Sequence, residues 1–201
     1  RDPRCLAALG ELAAAYPGRL DIVAGDALAL DPAALSPAPR KIVANLPYNI
    51  ATALLIGWLD RIRDYENLTV MLQREVALRL VAAPKTAAYG RLSVLVQWLV
   101  RPRILFDVPA GAFVPPPRVT SSVVALQPRP EPLAAAAKPL LERVTTAAFG
   151  QRRKMLRSSL KTLGVAVAPL LAATGIAPTA RAEELTVGQF CALARALAAA
   201  G

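Results

Sequence analysis

The chain has 201 residues, of which 55% are hydrophobic and 19% charged, with a formal net charge of +10 and no histidine; the pI is near 10.4 and the mean hydropathy +0.40. That is enough apolar material for a substantial core, which excludes a disordered tail. The lack of histidine excludes a Ser-His-Asp triad, an H-E-x-x-H zinc site and the H-x-E signature of zinc deaminases.

Much of the apolar fraction is alanine, and Arg, Asp, Lys or Pro interrupts every long run, so no window reaches the roughly 20 apolar residues of a spanning helix. The opening Arg1-Asp2-Pro3-Arg4 has no apolar region of the kind a signal peptide needs. A soluble intracellular chain is the expectation, cytoplasmic in a bacterium or mitochondrial in a eukaryote, with no membrane. Cys5 and Cys191 lie at opposite ends with no C-x-x-C pair, so neither a metal site nor a disulfide framework is expected.

In chain order, residues 3–16 read as a helix stopping near Pro17-Gly18, and 20–24 as a strand ending at Gly25-Asp26. A second strand at 41–44 runs into Asn45-Leu46-Pro47-Tyr48, followed by a helix from Ala51 to Leu59 and a strand at 68–72. Helical stretches at about 74–82 and 90–100 precede strands near 103–107 and 121–127. The alternation implies βαβ units and a mostly parallel sheet, with an antiparallel pair at one edge where two strands follow without a helix. Beyond Gln127 three prolines (Pro128, Pro130, Pro132) interrupt the chain, and helices are expected at 134–148, 151–163, 167–174 and 187–199. The division expected is a catalytic α/β domain over 1–128 and a helical domain over 133–201.

Charge is concentrated in the second region. From Lys138 to Lys161 there are seven basic residues and one acid, Glu142. Arg153, Arg157 and Lys161 recur at i, i+4 and i+8, which on one helix makes a single basic stripe, with Met155, Leu156, Ser159 and Leu163 on a packing face. Such a stripe serves either as a solvated surface or as a contact for phosphates, where each cation releases condensed counterions.

The stretch with most chemical content is Asn45-Leu46-Pro47-Tyr48-Asn49, directly after a strand, where open parallel sheets place their ligands. An exocyclic base amine is a poor nucleophile because its lone pair is delocalised. Two acceptors that bind its hydrogens draw the nitrogen toward tetrahedral geometry; the Asn45 side-chain oxygen and the Leu46 carbonyl, fixed by Pro47, supply such a pair. Tyr48 can stack on a flipped base. The same residues also make an ordinary strand-to-helix turn. Asp26 after a strand equally caps a turn, and Phe113 beside three prolines equally packs in a core.

Several motifs in order resemble the ribosomal RNA adenine dimethyltransferase family: Gly25-Asp26-Ala27-Leu28, Asn45-Leu46-Pro47-Tyr48-Asn49, Met71-Leu72-Gln73-Arg74-Glu75-Val76, Tyr89-Gly90-Arg91-Leu92-Ser93, Phe113 to Val119 followed by Ser121-Ser122-Val123-Val124, and Phe149-Gly150-Gln151-Arg152-Arg153-Lys154-Met155-Leu156-Arg157. The resemblance implies a Rossmann-like α/β methyltransferase fold, incomplete at the N-terminus, with a small all-helical C-terminal domain. It implies S-adenosylmethionine as cofactor, held by Gly25, Asp26, Ala27 and Asn45, and catalysis by Asn45, Leu46, Pro47, Tyr48 and Phe113 without metal. It further implies a monomer that dimethylates two adjacent adenines near the 3′ end of small-subunit rRNA within a pre-30S particle. RNA would be held by Arg118, Arg152, Arg153, Lys154, Arg157 and Lys161. Two rivals share these features: a large-subunit rRNA adenine methylase of the macrolide-resistance type, and a non-catalytic ribosome-assembly factor on the same fold.

The chain departs from the family pattern at its start. No G-x-G-x-G occurs, and Arg1-Asp2-Pro3 looks like the stretch just after the family's ribose-binding acid, leaving Asp2 as a weak replacement. A fragment lacking the N-terminal helix and first βαβ unit is expected, with poor binding of the methyl donor.

Overall fold

The computed structural model describes residues 3–200. Arg1 and Asp2, and with them the weak ribose-acid candidate, lie outside the described residues.

The alanine- and leucine-rich opening forms helix α1 (Pro3–Ala15), closed at Pro17-Gly18, where Gly18 takes a left-handed backbone (φ 69°). A one-turn helix α2 (Pro32–Leu35) is capped by Asp31, which accepts from the Ala33 N–H. Strand β1 (Lys41–Asn45), helix α3 (Ala51–Asp60), strand β2 (Asn67–Gln73) and helices α4 (Arg74–Val81) and α5 (Arg91–Leu99) follow. Then come strands β3 (Val100–Val108) and β4 (Ser121–Pro128), and helices α6 (Lys138–Gly150), α7 (Leu156–Ser159), α8 (Val167–Thr174) and α9 (Val187–Ala200).

The four strands form one sheet in the order β1-β2-β4-β3. β1 and β2, joined by the crossover helix α3, are parallel; β4 is antiparallel to both β2 and β3. The expected antiparallel pair is therefore present, but the sheet is not mostly parallel among the described residues. β4 returns from β3 through the short loop 109–120 and slots between β2 and β3, which only an antiparallel strand can do over so short a connection.

The expected strand at 20–24 does not form. These residues have no ladder partner, and an extended run without one does not hold as a strand. Ile22 and Val23 stay exposed, as do Leu9 and Leu12 of α1, Tyr16 just after it and Val43 of the edge strand β1 (82%).

Two cores hold the rest. The sheet core stacks Leu68, Val70 and Leu72 of β2 and Val124 and Leu126 of β4 beneath Leu55 and Leu80. Each such side chain, fully buried, contributes roughly 1.5–3 kcal/mol. The helical core gathers Leu141, Leu156, Phe190 and Leu193. Helix α5 serves both, sending Val96 into the sheet core and Val94, Leu95 and Trp98 into the helical one. Its N-terminus is secured by Ser93 Oγ, which accepts from the Gly90 N–H (3.0 Å) and donates to the Arg79 carbonyl (2.6 Å). The proline-rich connection is pinned to the end of α5: the Arg129 and Leu133 N–H groups donate to the Leu99 and Trp98 carbonyls, and Trp98 Nε1 donates to the Ala134 carbonyl (2.8 Å).

Two helical boundaries differ from expectation. Residues 134–137 are not helical, and α6 begins at Lys138 with Pro139 in its first turn. The single helix expected over 151–163 is broken into a turn at 151–154, the short α7 and a 3-10 turn at Leu160–Leu163. The cause is tertiary: Met155 is extended and bridges Arg181, while the Leu156 and Arg157 N–H groups donate to the Ala180 and Pro178 carbonyls. Arg153, Arg157 and Lys161 therefore do not share one helix stripe, although Leu156, Ser159 and Leu163 are buried as a packing face should be. Among the described residues no single helix is long and apolar enough to cross a membrane.

Candidate functional site

The end of the sheet where β1 and β2 finish and β4 begins carries the site. Asn45 is the last residue of β1 and pairs with Met71. The ladder continues one residue further, with the Leu46 N–H donating to the Met71 carbonyl (3.0 Å). Alternation along the strand sends the Leu46 side chain into the sheet core (3% exposed) and leaves Asn45 exposed. Pro47 confines Leu46 to extended backbone and so fixes the direction of its carbonyl. The Ile50 N–H then closes a turn on the Pro47 carbonyl (3.1 Å), and α3 starts.

Opposite stands the loop from β3 to β4. A 3-10 turn at Ala110–Ala112 follows Pro109, and its last N–H bonds deliver Phe113 toward Asn45-Leu46-Pro47-Tyr48. Asn45, Leu46, Pro47, Tyr48, Phe113, Pro115 and Pro117 line one cavity of about 290 Å³. That is at the small end of ligand cavities, which run from roughly 300 to 1,000 Å³. Among the described residues the Asn45 amide has no hydrogen-bond partner, so its oxygen is available to whatever enters.

Tyr48 is held at its far end. Its hydroxyl lies 2.7 Å from the Ser121 hydroxyl at the start of β4, and Ser121 is fully buried. The adjoining Ser122 donates to Asp107 Oδ1 (2.6 Å), whose other oxygen takes the Arg74 guanidinium (2.8 Å). The Ser122 hydrogen bond, and then Arg74, hold the Asp107 carboxyl below its ordinary range. The motif around Gln73-Arg74 thus clamps β3 to the sheet beside the cavity. Sequence reasoning gave no role to Ser121 or Asp107. The available signal was two serines entering an otherwise apolar strand, a placement that calls for partners.

The proposed donor residues are not gathered with the rest. The Asp26 carboxylate accepts from the Leu28 N–H (3.0 Å) in its own turn, and its carbonyl accepts from Ala29 and Leu30. A Cβ on Gly25 would lie 2.8 Å from Leu30 Cδ1, so local packing already accounts for that glycine. Ala27 lines a separate depression of about 330 Å³ with Leu28, Leu30, Trp58 and Tyr65. Of the residues expected to hold S-adenosylmethionine, Asn45 has an amide with no hydrogen-bond partner among the described residues, and Asp26 has one carboxylate oxygen that its own turn does not use. For the ribose and amino-acid ends the described residues offer no Gly-rich loop, and the acid in the depression beside Ala27, Asp31, is already taken by the Ala33 N–H and Arg61. The fit is to part of the donor only.

Of the basic candidates, Arg118, Arg153, Lys154, Arg157 and Lys161 are exposed and carry no ion pair among the described residues. Arg152 differs. It is half-buried, with Nε 2.9 Å from Glu183 and NH2 3.3 Å from the Thr86 carbonyl, while the Lys85 N–H donates to the Glu183 carbonyl. Its engagement joins the loop before α5 to the helical half, which distinguishes it from the other five basic candidates.

Comparison with known proteins decides the family. A family model described as ribosomal RNA adenine dimethylase matches residues 2–199. The chain belongs to that family. Within the ribosomal RNA adenine dimethylases it is 59% identical to the ribosomal RNA small subunit methyltransferase A of Rhodospirillum rubrum, covering all of this chain and 69% of that protein. It is 62% identical to the protein of the same name from Paramagnetospirillum magneticum, covering 98% of this chain and 70% of the other. The solved dimethyladenosine transferase of Plasmodium falciparum superposes with a TM-score of 0.81 at 21% identity, over 96% of this chain and 78% of that one, which establishes the Rossmann-like methyltransferase fold with its helical C-terminal part. The 23S rRNA methyltransferase ErmE superposes at 0.67 with 25% identity, over 98% and 79%.

Proposed function

We propose that the whole protein to which this chain belongs, and not this stretch alone, performs the S-adenosylmethionine-dependent N6,N6-dimethylation of adenines in small-subunit rRNA; the chain spans 69–70% of the length of the relatives compared. The observation that carries the reading is the cavity itself, which brings Phe113 onto Asn45-Leu46-Pro47-Tyr48 from a distant part of the sequence. The donor supplies an electrophilic methyl group. Asn45 Oδ1 and the Leu46 carbonyl accept the two N6 hydrogens of the target adenine, which localises the nitrogen lone pair and orients it. Tyr48 and Phe113 sandwich the flipped base, and the prolines beside Phe113 hold its loop at low entropic cost. Transfer would break the donor's sulfonium–methyl bond as the N6–methyl bond forms, and the surplus N6 proton would pass to water, so no strong general base is needed, in keeping with a chain that has no histidine.

Asp26, with Gly25 and Ala27 beside it, serves the donor's adenine through its remaining oxygen. Residues 1–128 carry the chemistry, and 133–201 contact RNA through Arg153, Lys154, Arg157 and Lys161, with Arg118 beside the cavity. Small-subunit rRNA, two adjacent adenines near its 3′ end, a pre-30S particle as substrate and a monomer as the working form complete the reading. In a bacterium such particles are assembled in the cytoplasm. The 52–62% identity to small-subunit methyltransferases supports this substrate over the large-subunit one.

The test is primer extension across the two adenines in a strain deleted for the gene. Complementation with the wild-type gene restores the methylation block, and Asn45→Ala does not. Full dimethylation by Asn45→Ala would overturn the assignment of the site.

A further inference from the structure

We propose that Ser121 is a positioning residue for capture of the target base, acting through Tyr48. The proposal rests on the reading of Tyr48 as one of the two stacking rings. Tyr48 sits on a turn between β1 and α3, with more than a third of its surface exposed, and it lines the cavity. A side chain so placed has nothing on the cavity side to fix its torsions. The one polar anchor it has among the described residues is the hydroxyl of Ser121 at 2.7 Å.

That anchor is rigid. Ser121 is fully buried, and its backbone is paired on both sides, with Gln73 of β2 and Val108 of β3. Its neighbour Ser122 is committed elsewhere, to Asp107. The two serines therefore divide the work: Ser122 secures the strand pair, and Ser121 offers its hydroxyl to the ring. With its Cβ fixed by the turn and its oxygen fixed by the sheet, Tyr48 is set in orientation before RNA arrives. The ordering of an aromatic platform is then a cost met in folding, not in binding. A stacking ring held in this way acts at the step where the base is seated against Asn45, so its loss falls on the rate of transfer.

The experiment is methyl transfer to undermethylated small subunits by the full gene product, as wild type, Ser121→Ala, Tyr48→Phe, the double variant and Tyr48→Ala. Losing one neutral hydrogen bond lowers kcat about two- to ten-fold in Ser121→Ala and in Tyr48→Phe. Donor KM is unchanged, and the double variant is no slower than either single one, because both remove the same bond. A merely structural serine would give a lower melting temperature with kcat preserved, or losses that multiply in the double variant; either result overturns the proposal. If Ser121→Ala does not fold, Tyr48→Phe alone decides, since wild-type kcat with the ring kept and the hydroxyl gone rejects the anchor. Tyr48→Ala separates the two levels. Its full activity would reject the stacking reading itself, whereas its inactivity beside a wild-type Ser121→Ala would reject only the anchor.

Discussion

At the end of the sheet, Asn45, Tyr48 and Phe113 stand on backbone that neighbouring strands and turns hold in place, while their side chains border open space. In the helical half the relation is reversed. Phe190, Leu156 and Leu141 are fully buried, Phe149 stacks on Phe190 with ring centroids 5.4 Å apart, and the charged residues lie outside. One region leaves side chains facing a cavity and takes its order mainly from backbone bonds, with Tyr48 also held by Ser121; the other packs its side chains against one another. The difference predicts that substitutions in the first should change rate with little change in melting temperature, and substitutions in the second the opposite.

The largest effect tests the first half of that contrast. Asn45→Ala should reduce methyl transfer about 100- to 1,000-fold, the scale of removing one preorganised polar group from a reacting centre. Its melting temperature should match wild type, because Asn45 is exposed and its amide bonds to nothing among the described residues. Parallel loss of stability would mean that the cavity wall is part of the core and would erase the distinction. Next in size is Phe190→Ala. Removing a fully buried ring should cost about 3–5 kcal/mol, read by thermal or denaturant unfolding. Tyr89, which stacks edge-on against Phe149 and donates to the Leu185 carbonyl at 2.9 Å, should loosen with it. Because α5 belongs to both cores, a single unfolding transition is expected; two separated transitions would show that the halves are independent.

The same contrast explains what was legible in the sequence. Strands 41–44, 68–72, 103–107 and 121–127 and the helix at 167–174 follow from local periodicity, and the structure has them within a few residues. Asn45, Tyr48 and Phe113 were legible as motifs, and the structure brings them to one cavity. What failed depends on partners far along the chain. Residues 20–24 have the composition of a strand but no neighbour to ladder with. The break at Met155 is imposed by carbonyls at 178–180, so the apparent stripe through Arg153, Arg157 and Lys161 dissolves. Arg152 reads as one more cation until Glu183 is seen beside it. Ser121 has no visible task until Tyr48, 73 residues earlier, is found at its hydroxyl.

Among the basic residues the contrast can be sharpened within three consecutive positions. Arg153→Ala and Lys154→Ala should weaken RNA binding and lower the slope of log affinity against log salt by about one for each phosphate left without its cation, with unchanged melting temperature. Arg152→Ala should do the reverse, lowering stability by less than about 1 kcal/mol, as partly exposed ion pairs do, while leaving the salt slope alone. Equal slopes for all three would return Arg152 to the RNA-facing group.

The smallest effect concerns the two thiols, which lie one in each kind of environment. Cys5 on α1 is exposed and Cys191 is buried. Burial pushes the Cys191 thiol up from 9.0 to about 11, against the opposing charge of Arg195. In the native chain at pH 8 a disulfide reagent should therefore modify one thiol rapidly, and the second only after denaturation. The same shift carries a pH signature. Above pH 9 the unfolded chain releases the Cys191 proton that the folded chain retains, so the folded state binds more protons and stability falls as pH rises from about 9 to about 11. Below pH 9 both states hold the proton and this contribution is flat. Cys191→Ala should remove that part of the alkaline slope, and rapid labelling of both native thiols would show that the helical half opens far more readily than its packing implies.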